Sequence, residues 1–311
     1  MTRLLSPIET GASGIRCWLP HGVNRAIRVL AWLSFITEVA IVGTGGAVRV
    51  TDSGLGCPTW PTCTPESLIP TGEMGIHGAI EFGNRMMTGV VGIIAVITLI
   101  LVWRMRRQRR DLFALSLALV LGVLAQALVG GVTVLTGLNP VIVGFHFTAS
   151  LIMVSLAAVL LHRVHTAPGE RQLIVPKWFA RITYTTSLVV AVTVAVGVLT
   201  TAVGPHSGDS DVVRSGVNAE LLAHFHAWPG YATLLLTVVL LVAAAVRRLP
   251  VFGWIRVLLA IEIAQVLVGL VQANTGLPPL LVGTHMVLAC LLAAAMTMVV
   301  LRCRGPRATG R

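Results

Sequence analysis

The chain has 311 residues, of which 55% are hydrophobic and only 11% charged, with a mean hydropathy of +0.86. Soluble domains carry about 25% charged residues, so the composition excludes an ordinary soluble domain and points to an all-α integral membrane protein. The net charge of +11 comes almost wholly from arginine, and its distribution reads as membrane topology rather than nucleic-acid binding.

Eight stretches are apolar enough to cross about 30 Å of hydrocarbon. In chain order they fall near 27–48, 79–103, 112–135, 141–162, 180–203, 220–246, 252–273 and 280–301. No small-residue cleavage site follows a short apolar core at the start, so the first stretch is expected to be a span and not a cleaved leader. Of 23 basic residues, 20 lie before span 1, after spans 2, 4 and 6, or after span 8; only Arg49, Arg85 and Arg214 fall elsewhere. The positive-inside rule then predicts a multi-pass protein of the cell membrane with both termini cytoplasmic. The arginine run at 104–110 is expected to fix topology and touch anionic lipid. The outer loops are 49–78, about 136–140, 204–219 and about 274–279.

The first outer loop reads SGLGCPTWPTC and contains Cys57 and Cys63. The outer side is oxidising, so a disulfide is expected there, provided that the turns at Pro58 and Pro61 bring the two residues within bridging range. A catalytic thiol pair is the alternative. Cys17, Cys290 and Cys303 read as free, structurally minor thiols.

Residues Ala125–His146 repeat at Ala264–His285 with a constant offset of 139, and 13 of the 22 positions are identical. The shared positions include Gln126/Gln265, Gly130/Gly269, Thr136/Thr275, Gly137/Gly276, Pro140/Pro279, Gly144/Gly283 and His146/His285. Both copies run outward and back, which predicts a parallel repeat about an axis along the membrane normal. The architecture expected is two parallel-repeat four-helix bundles. The N-terminal half covers 27–170 and the C-terminal half 171–303, between cytoplasmic tails at 1–26 and 304–311.

Spans 2, 4, 6 and 8 each begin at the outer face. His146 and His285 lie six residues past Pro140 and Pro279, about 9 Å down a helix. His224 and His226 enter at a similar level, and span 2 brings His77, Glu81, Asn84 and Arg85. Ionisable residues inside a span are costly and are functional candidates. Three readings of the histidine layer remain open: core histidines bonded to carbonyls, a proton relay, or axial ligands to haem iron. Histidines paired on facing helices, His226 with His285, favour haem. The repeated glycines would let helices or a flat macrocycle approach closely.

The segments GGAVRVTDSGLGCPTWPTC, IEFGNR, TGLNPVIVGFH, TGLPPLLVGTH and GPHSGD together resemble the haem A synthase (CtaA) family over most of residues 30–300. The IEFGNR form is similar to the family's actinobacterial branch. The resemblance implies an eight-helix oxidoreductase that converts the C8 methyl of haem O to the formyl group of haem A, for terminal oxidase biogenesis. It implies a haem b cofactor in the C-terminal half, with His226 and His285 at the ligand positions. The substrate haem O is expected in the N-terminal half, with His146 at one ligand position. The family's other position, usually histidine in a Glu-x-x-His-Arg motif, is Asn84 here, while Glu81 and Arg85 fit the motif.

That departure leaves His146 to hold the iron, with Asn84 hydrogen-bonding a sixth ligand or, as the alternative, His77 supplying it. Glu81 is the candidate for proton handling. Its alternative role is a salt bridge to Arg85, four residues on, and Arg85 is equally a candidate to pair with a haem propionate. The partners implied are haem O synthase, oxidase assembly factors, an electron donor and membrane lipid, with no nucleic acid.

Other polar positions carry plainer expectations. Glu38 and Glu262 are membrane carboxylates, neutral or paired with polar neighbours. Gln126 and Gln265 are interhelical hydrogen-bonders, and His162 and His165 are interfacial. His206, Asp209 and Asp211 are expected to be solvated loop residues, with a metal- or propionate-facing loop as the alternative. A non-enzymatic di-haem electron-transfer protein and a haem transporter are the rival readings.

Overall fold

A computed structural model describes residues 19–204, 206, 208 and 218–306, without the side chains of Val203 and Ala219. Cys17, Asp209, Asp211 and Arg214 lie outside the described residues. Eight helices are long and apolar enough to cross a membrane. They are α1 (Arg25–Val50), α2 (Gly75–Val102), α3 (Arg110–Leu135), α4 (Pro140–Val164), α5 (Lys177–Val203), α6 (Ala219–Val246), α7 (Phe252–Asn274) and α8 (Pro279–Arg302). Each coincides with an expected span to within four residues. At 1.5 Å per residue, 23–28 residues suffice for the hydrocarbon core. One element is not helical: a short antiparallel pair, β1 (Arg171–Leu173) with β2 (Arg304–Pro306), joins the α4–α5 connection to the chain's end.

The helix starts follow from local chemistry. Asn24 accepts from the N–H of Ile27, Asn139 from Val141 and Asn218 from Leu221, each satisfying a donor left open at a helix N-terminus. Pro140 and Pro279 occupy the first turns of α4 and α8, where a missing N–H costs nothing.

The repeated TGL motif explains the two tight turns. Gly137 and Leu138 take left-handed φ values of 60° and 58°, and Gly276 and Leu277 take 75° and 58°. The N–H of Leu138 donates to the Thr133 carbonyl at 2.8 Å, and that of Leu277 to the Gln272 carbonyl at 2.9 Å. Each turn thus closes a helix with a left-handed glycine cap and starts the next helix on proline. A side chain at Gly137 or Gly276 would meet the left-handed penalty.

The helices form two closed sets of neighbours. α1 packs on α2 and α4, and α3 on α2 and α4; α5 packs on α6 and α8, and α7 on α6 and α8. Each set buries its own apolar core. Ile27, Leu112, Leu119 and Leu160 belong to the first; Phe179, Leu240, Ile255 and Leu258 belong to the second. A third, smaller cluster of Val42, Leu151, Val154, Ala158, Cys290 and Ala294 lies where α1, α4 and α8 meet.

Candidate functional site

The first set encloses a cavity of about 650 Å³, within the range of cofactor and ligand sites. Its wall includes Glu81, Asn84, Arg85 and His146 from the expected site, together with Glu38, Arg49, Trp60, Gln126, Ser150 and Met286. His77, by contrast, is exposed, hydrogen-bonds Ser53 through Nδ1 at 3.0 Å and does not line the cavity. It is therefore poorly placed to serve as the sixth ligand considered above.

His146 reaches the cavity because α4 drops it below the outer turn. Gln126 on α3 donates Nε2–H to the His146 carbonyl at 3.0 Å and to Ser150 Oγ at 2.6 Å, fixing α3 against α4 at this level. Gly130 lies beside the imidazole: a methyl group there would stand 3.4 Å from His146 Cε1. The ring's Nδ1 is buried without a hydrogen-bond partner among the described residues. Asn84 on α2 accepts from the Thr44 hydroxyl at 2.7 Å through Oδ1, with Gly45 on α1 opposite it. Thr44 is a site residue with no signal in the sequence beyond being one of several polar residues in a mostly apolar span.

Cys57 and Cys63 are bridged, with Cα atoms 4.5 Å apart. The bridged loop is clamped to α2 by the two charged residues of IEFGNR. Glu81 and Arg85 form an ion pair at 2.6 Å. The Cys57 N–H donates to Glu81 Oε2 at 2.6 Å, while Arg85 donates to the carbonyls of Cys57 and Thr62 at 2.9 and 3.0 Å. Both carboxylate oxygens of Glu81 are thus engaged. The salt bridge, one of the two expectations for this residue, is present. From the clamped loop the Trp60 indole reaches over the cavity and lies against the backbone of Gly131, where a Cβ would collide with the ring.

Arg49 was noted in the sequence only as a misplaced cation. It lines the cavity near the end of α1 and donates to the carbonyls of His206 and Thr201 at 2.7 and 3.0 Å. His206 in turn bonds the Leu277 carbonyl through Nε2 at 2.8 Å. The expectation of a solvated loop histidine is therefore corrected: His206 ties α1, the α5 end and the α7–α8 turn together.

The second set places His226 and His285 face to edge, with ring centroids 6.1 Å apart. Two imidazoles this near each other on facing helices are the side chains that would hold a metal-centred group between them. The Nδ1–H of His226 donates to the Thr193 carbonyl at 2.9 Å, which leaves Nε2 with its lone pair free. His285 Nδ1 is buried without a partner, and Gln265 donates to the His285 carbonyl at 3.2 Å, repeating the bond that Gln126 makes to His146. The ring of His226 packs on Gly197, where a Cβ would approach Cε1 to 2.7 Å, and that of His285 on Gly269. His224 is exposed.

The four layer positions, Asn84, His146, His226 and His285, each face a glycine of the preceding helix: Gly45, Gly130, Gly197 and Gly269. The other repeated pair behaves differently: Gly144 meets Val198, and Gly283 faces open space. Glu262 bonds the Thr237 hydroxyl at 2.8 Å. His162, expected at the interface, is buried beside Arg171. Among the described residues no group of three or more His, Cys, Asp or Glu could hold a bare metal ion.

Eight helices long and apolar enough to cross a membrane, with a polar-lined cavity in the first set and an apposed histidine pair in the second, define a multi-pass membrane protein. The chain belongs to the COX15-CtaA family, described as cytochrome oxidase assembly proteins, whose pattern matches residues 28–204. It is 39% identical over 139 residues to the heme A synthase of Lysinibacillus sphaericus, and 34% identical over 140 residues to that of Alkalihalophilus pseudofirmus. Those alignments cover 44% and 45% of this chain and less than half of each relative, 44% and 46%. The heme A synthase of Bacillus cereus aligns over 296 residues at 28% identity, covering 89% of this chain and 94% of the relative.

Proposed function

We propose that the protein is a haem A synthase, which oxidises the C8 methyl of haem O to a formyl group by two hydroxylations and loss of water. The observation that carries this reading is the asymmetry of the histidine layer. One site pairs two imidazoles at 6.1 Å, whereas the other is a 650 Å³ cavity whose wall carries a single imidazole and an amide. A pure electron carrier has no need of the second arrangement, and an oxidising site that must admit a reactant does. The full-length relative named for this activity supports the same conclusion.

In this reading the cavity between α1 and α4 takes haem O. His146 holds its iron. Asn84, with Oδ1 bound by Thr44, presents its amide to the opposite face and orients a small polar reactant there. Trp60 and the clamped Cys57–Cys63 loop cover the site and keep bulk water from the reacting methyl. Glu81 stands at the cavity edge under that loop, so any proton it exchanges also loosens its bonds to Cys57 and Arg85.

His226 and His285 fit a haem b cofactor, which when bound supplies one-electron transfer. Thr193 orients the first ring and Gln265 steadies the helix of the second. Met286, next to His285 on α8, lines the substrate cavity, so one helix borders both sites.

The two sets of helices are two parallel-repeat halves, 27–170 and 171–303, supported by the matching turns, Gln–carbonyl bonds and glycine–histidine contacts. The distribution of basic residues supports cytoplasmic termini in a cell-membrane protein. Haem O synthase supplies the substrate, and assembling terminal oxidase receives the product.

The test is expression in a host that makes haem O, followed by analysis of extracted haems. Haem A, or its hydroxylated precursor, is expected. Its absence in cells where the purified protein carries haem and electrons are supplied would overturn the reading.

A further inference from the structure

One group in the cavity has no role in the chemistry above. Glu38 on α1 is buried to 4% exposure and lines the cavity wall, with no hydrogen bond or ion pair among the described residues. Leaving a buried carboxyl without a partner is costly, so a group that completes it is expected inside the cavity. Another buried membrane carboxyl, Glu262 on α7, does have a protein partner in Thr237.

The position of Glu38 identifies the kind of partner. Residues 38, 41, 42, 45, 46 and 49 all line the cavity, a single face of α1. Gly45, which faces Asn84, is seven residues on from Glu38, or about 10 Å along the helix. Arg49 is eleven residues on, about 16 Å toward the outer end. Arg49 spends two donors on carbonyls, and no carboxylate among the described residues pairs with it. The cavity therefore has an uncompensated cation at its outer end, the Asn84–His146 level between, and an unpartnered carboxyl at its membrane-buried end. Near that buried end the wall is otherwise mostly apolar, with Val91, Val123 and Met153. The ligand that fits carries carboxylates at one edge and, on the far side of its ring, an apolar chain bearing one hydrogen-bonding group.

We propose that Glu38 is a specificity-determining residue: it hydrogen-bonds the hydroxyl of the substrate's hydroxyalkyl-isoprenoid side chain and so selects haem O over haem B, which has a vinyl group there. This rests on the haem A synthase reading and deepens it. A hydroxyl can satisfy the carboxyl, while a vinyl leaves it bare, and sites built to bond a hydroxyl reject analogues that lack it.

The experiment compares equilibrium binding of haem O and haem B to the purified full-length protein, as wild type, Glu38→Leu and Glu38→Gln. The His146→Ala variant defines the share of signal that belongs to this cavity. Wild type is expected to favour haem O. Glu38→Leu should weaken haem O binding about tenfold or more while changing haem B binding less than about twofold. Glu38→Gln, which keeps hydrogen-bonding capacity and shape, should retain most of the preference even if the leucine variant does not fold. Equal effects on both haems, or none, would overturn the proposal. If wild type makes haem A and the Glu38 variants bind like it, only this inference fails. If wild type neither prefers haem O nor makes haem A, the enzyme reading fails with it.

Discussion

The two sets of helices share one packing device, a polar side chain set against a glycine of the preceding helix, in different surroundings. In α5–α8 two histidines stand 6.1 Å apart with Gly197 and Gly269 behind them. In α1–α4 the corresponding level offers His146 and Asn84, with Gly130 and Gly45 behind, and a 650 Å³ cavity lies between helices. The difference teaches that one exchange of imidazole for amide can accompany an open cavity while the glycine packing around the position is kept. Saturated ligation suits a group that stays and passes electrons; a free face suits a group that reacts and leaves.

The comparison can be broken most severely at the histidines. His226→Ala or His285→Ala should abolish the low-spin haem b spectrum of the purified protein. His146→Ala should reduce haem A formation by about 100-fold or more while that spectrum persists. The opposite pattern would exchange the roles of the halves.

Replacing the odd residue sharpens the contrast. Asn84→His should add a second low-spin bis-imidazole signature when the purified protein is loaded with haem O, and product should fall as the open face is filled. No spectral change would show that position 84 does not face the iron.

A smaller effect is expected at the loop clamp. Glu81→Gln leaves Arg85 without its ion pair, a loss on the order of 2–3 kcal/mol. The Cys57–Cys63 bridge should then be reduced faster by dithiothreitol, and haem A formation should slow while haem b remains bound. Unchanged reduction kinetics with slowed oxidation would assign Glu81 to proton handling alone.

The smallest effect separates two glycines. At Gly197 an added methyl meets the His226 ring at 2.7 Å, but at Gly130 it stands 3.4 Å from His146. Gly197→Ala should therefore weaken haem b retention several-fold, of the order seen for changes that disturb ligand orientation, and Gly130→Ala should alter haem O binding less. Equal effects would mean that the halves are packed alike around their ligands.

Much of this was legible along the chain because a membrane restricts what a segment can do. Apolar length alone located α1–α8, since a span must satisfy its backbone internally. The offset of 139 between the TGL motifs exposed the repeated turn, because a left-handed glycine followed by proline is a local requirement. His146, His226 and His285 were visible as costly polar residues in apolar runs, and the Cys57–Cys63 bridge followed from spacing and side.

What the chain order could not decide is which polar residues share a space. Glu81 and Arg85 had two equally good assignments in sequence, and only the folded loop shows them gripping the carbonyls and N–H around the disulfide. His206 looked like a solvent-facing loop residue until the turn at Leu277 came beside it. Arg49 and Glu38 looked like a stray cation and a bland membrane carboxyl. Helix packing places them at opposite ends of one cavity, because α1 turns the same face to α2 and α4 along its length. Local hydropathy and turn chemistry thus determined the spans, the repeat and the ligand candidates. The tertiary structure decided which imidazoles pair and which polar residues line one cavity, because those properties depend on contacts between helices far apart in sequence.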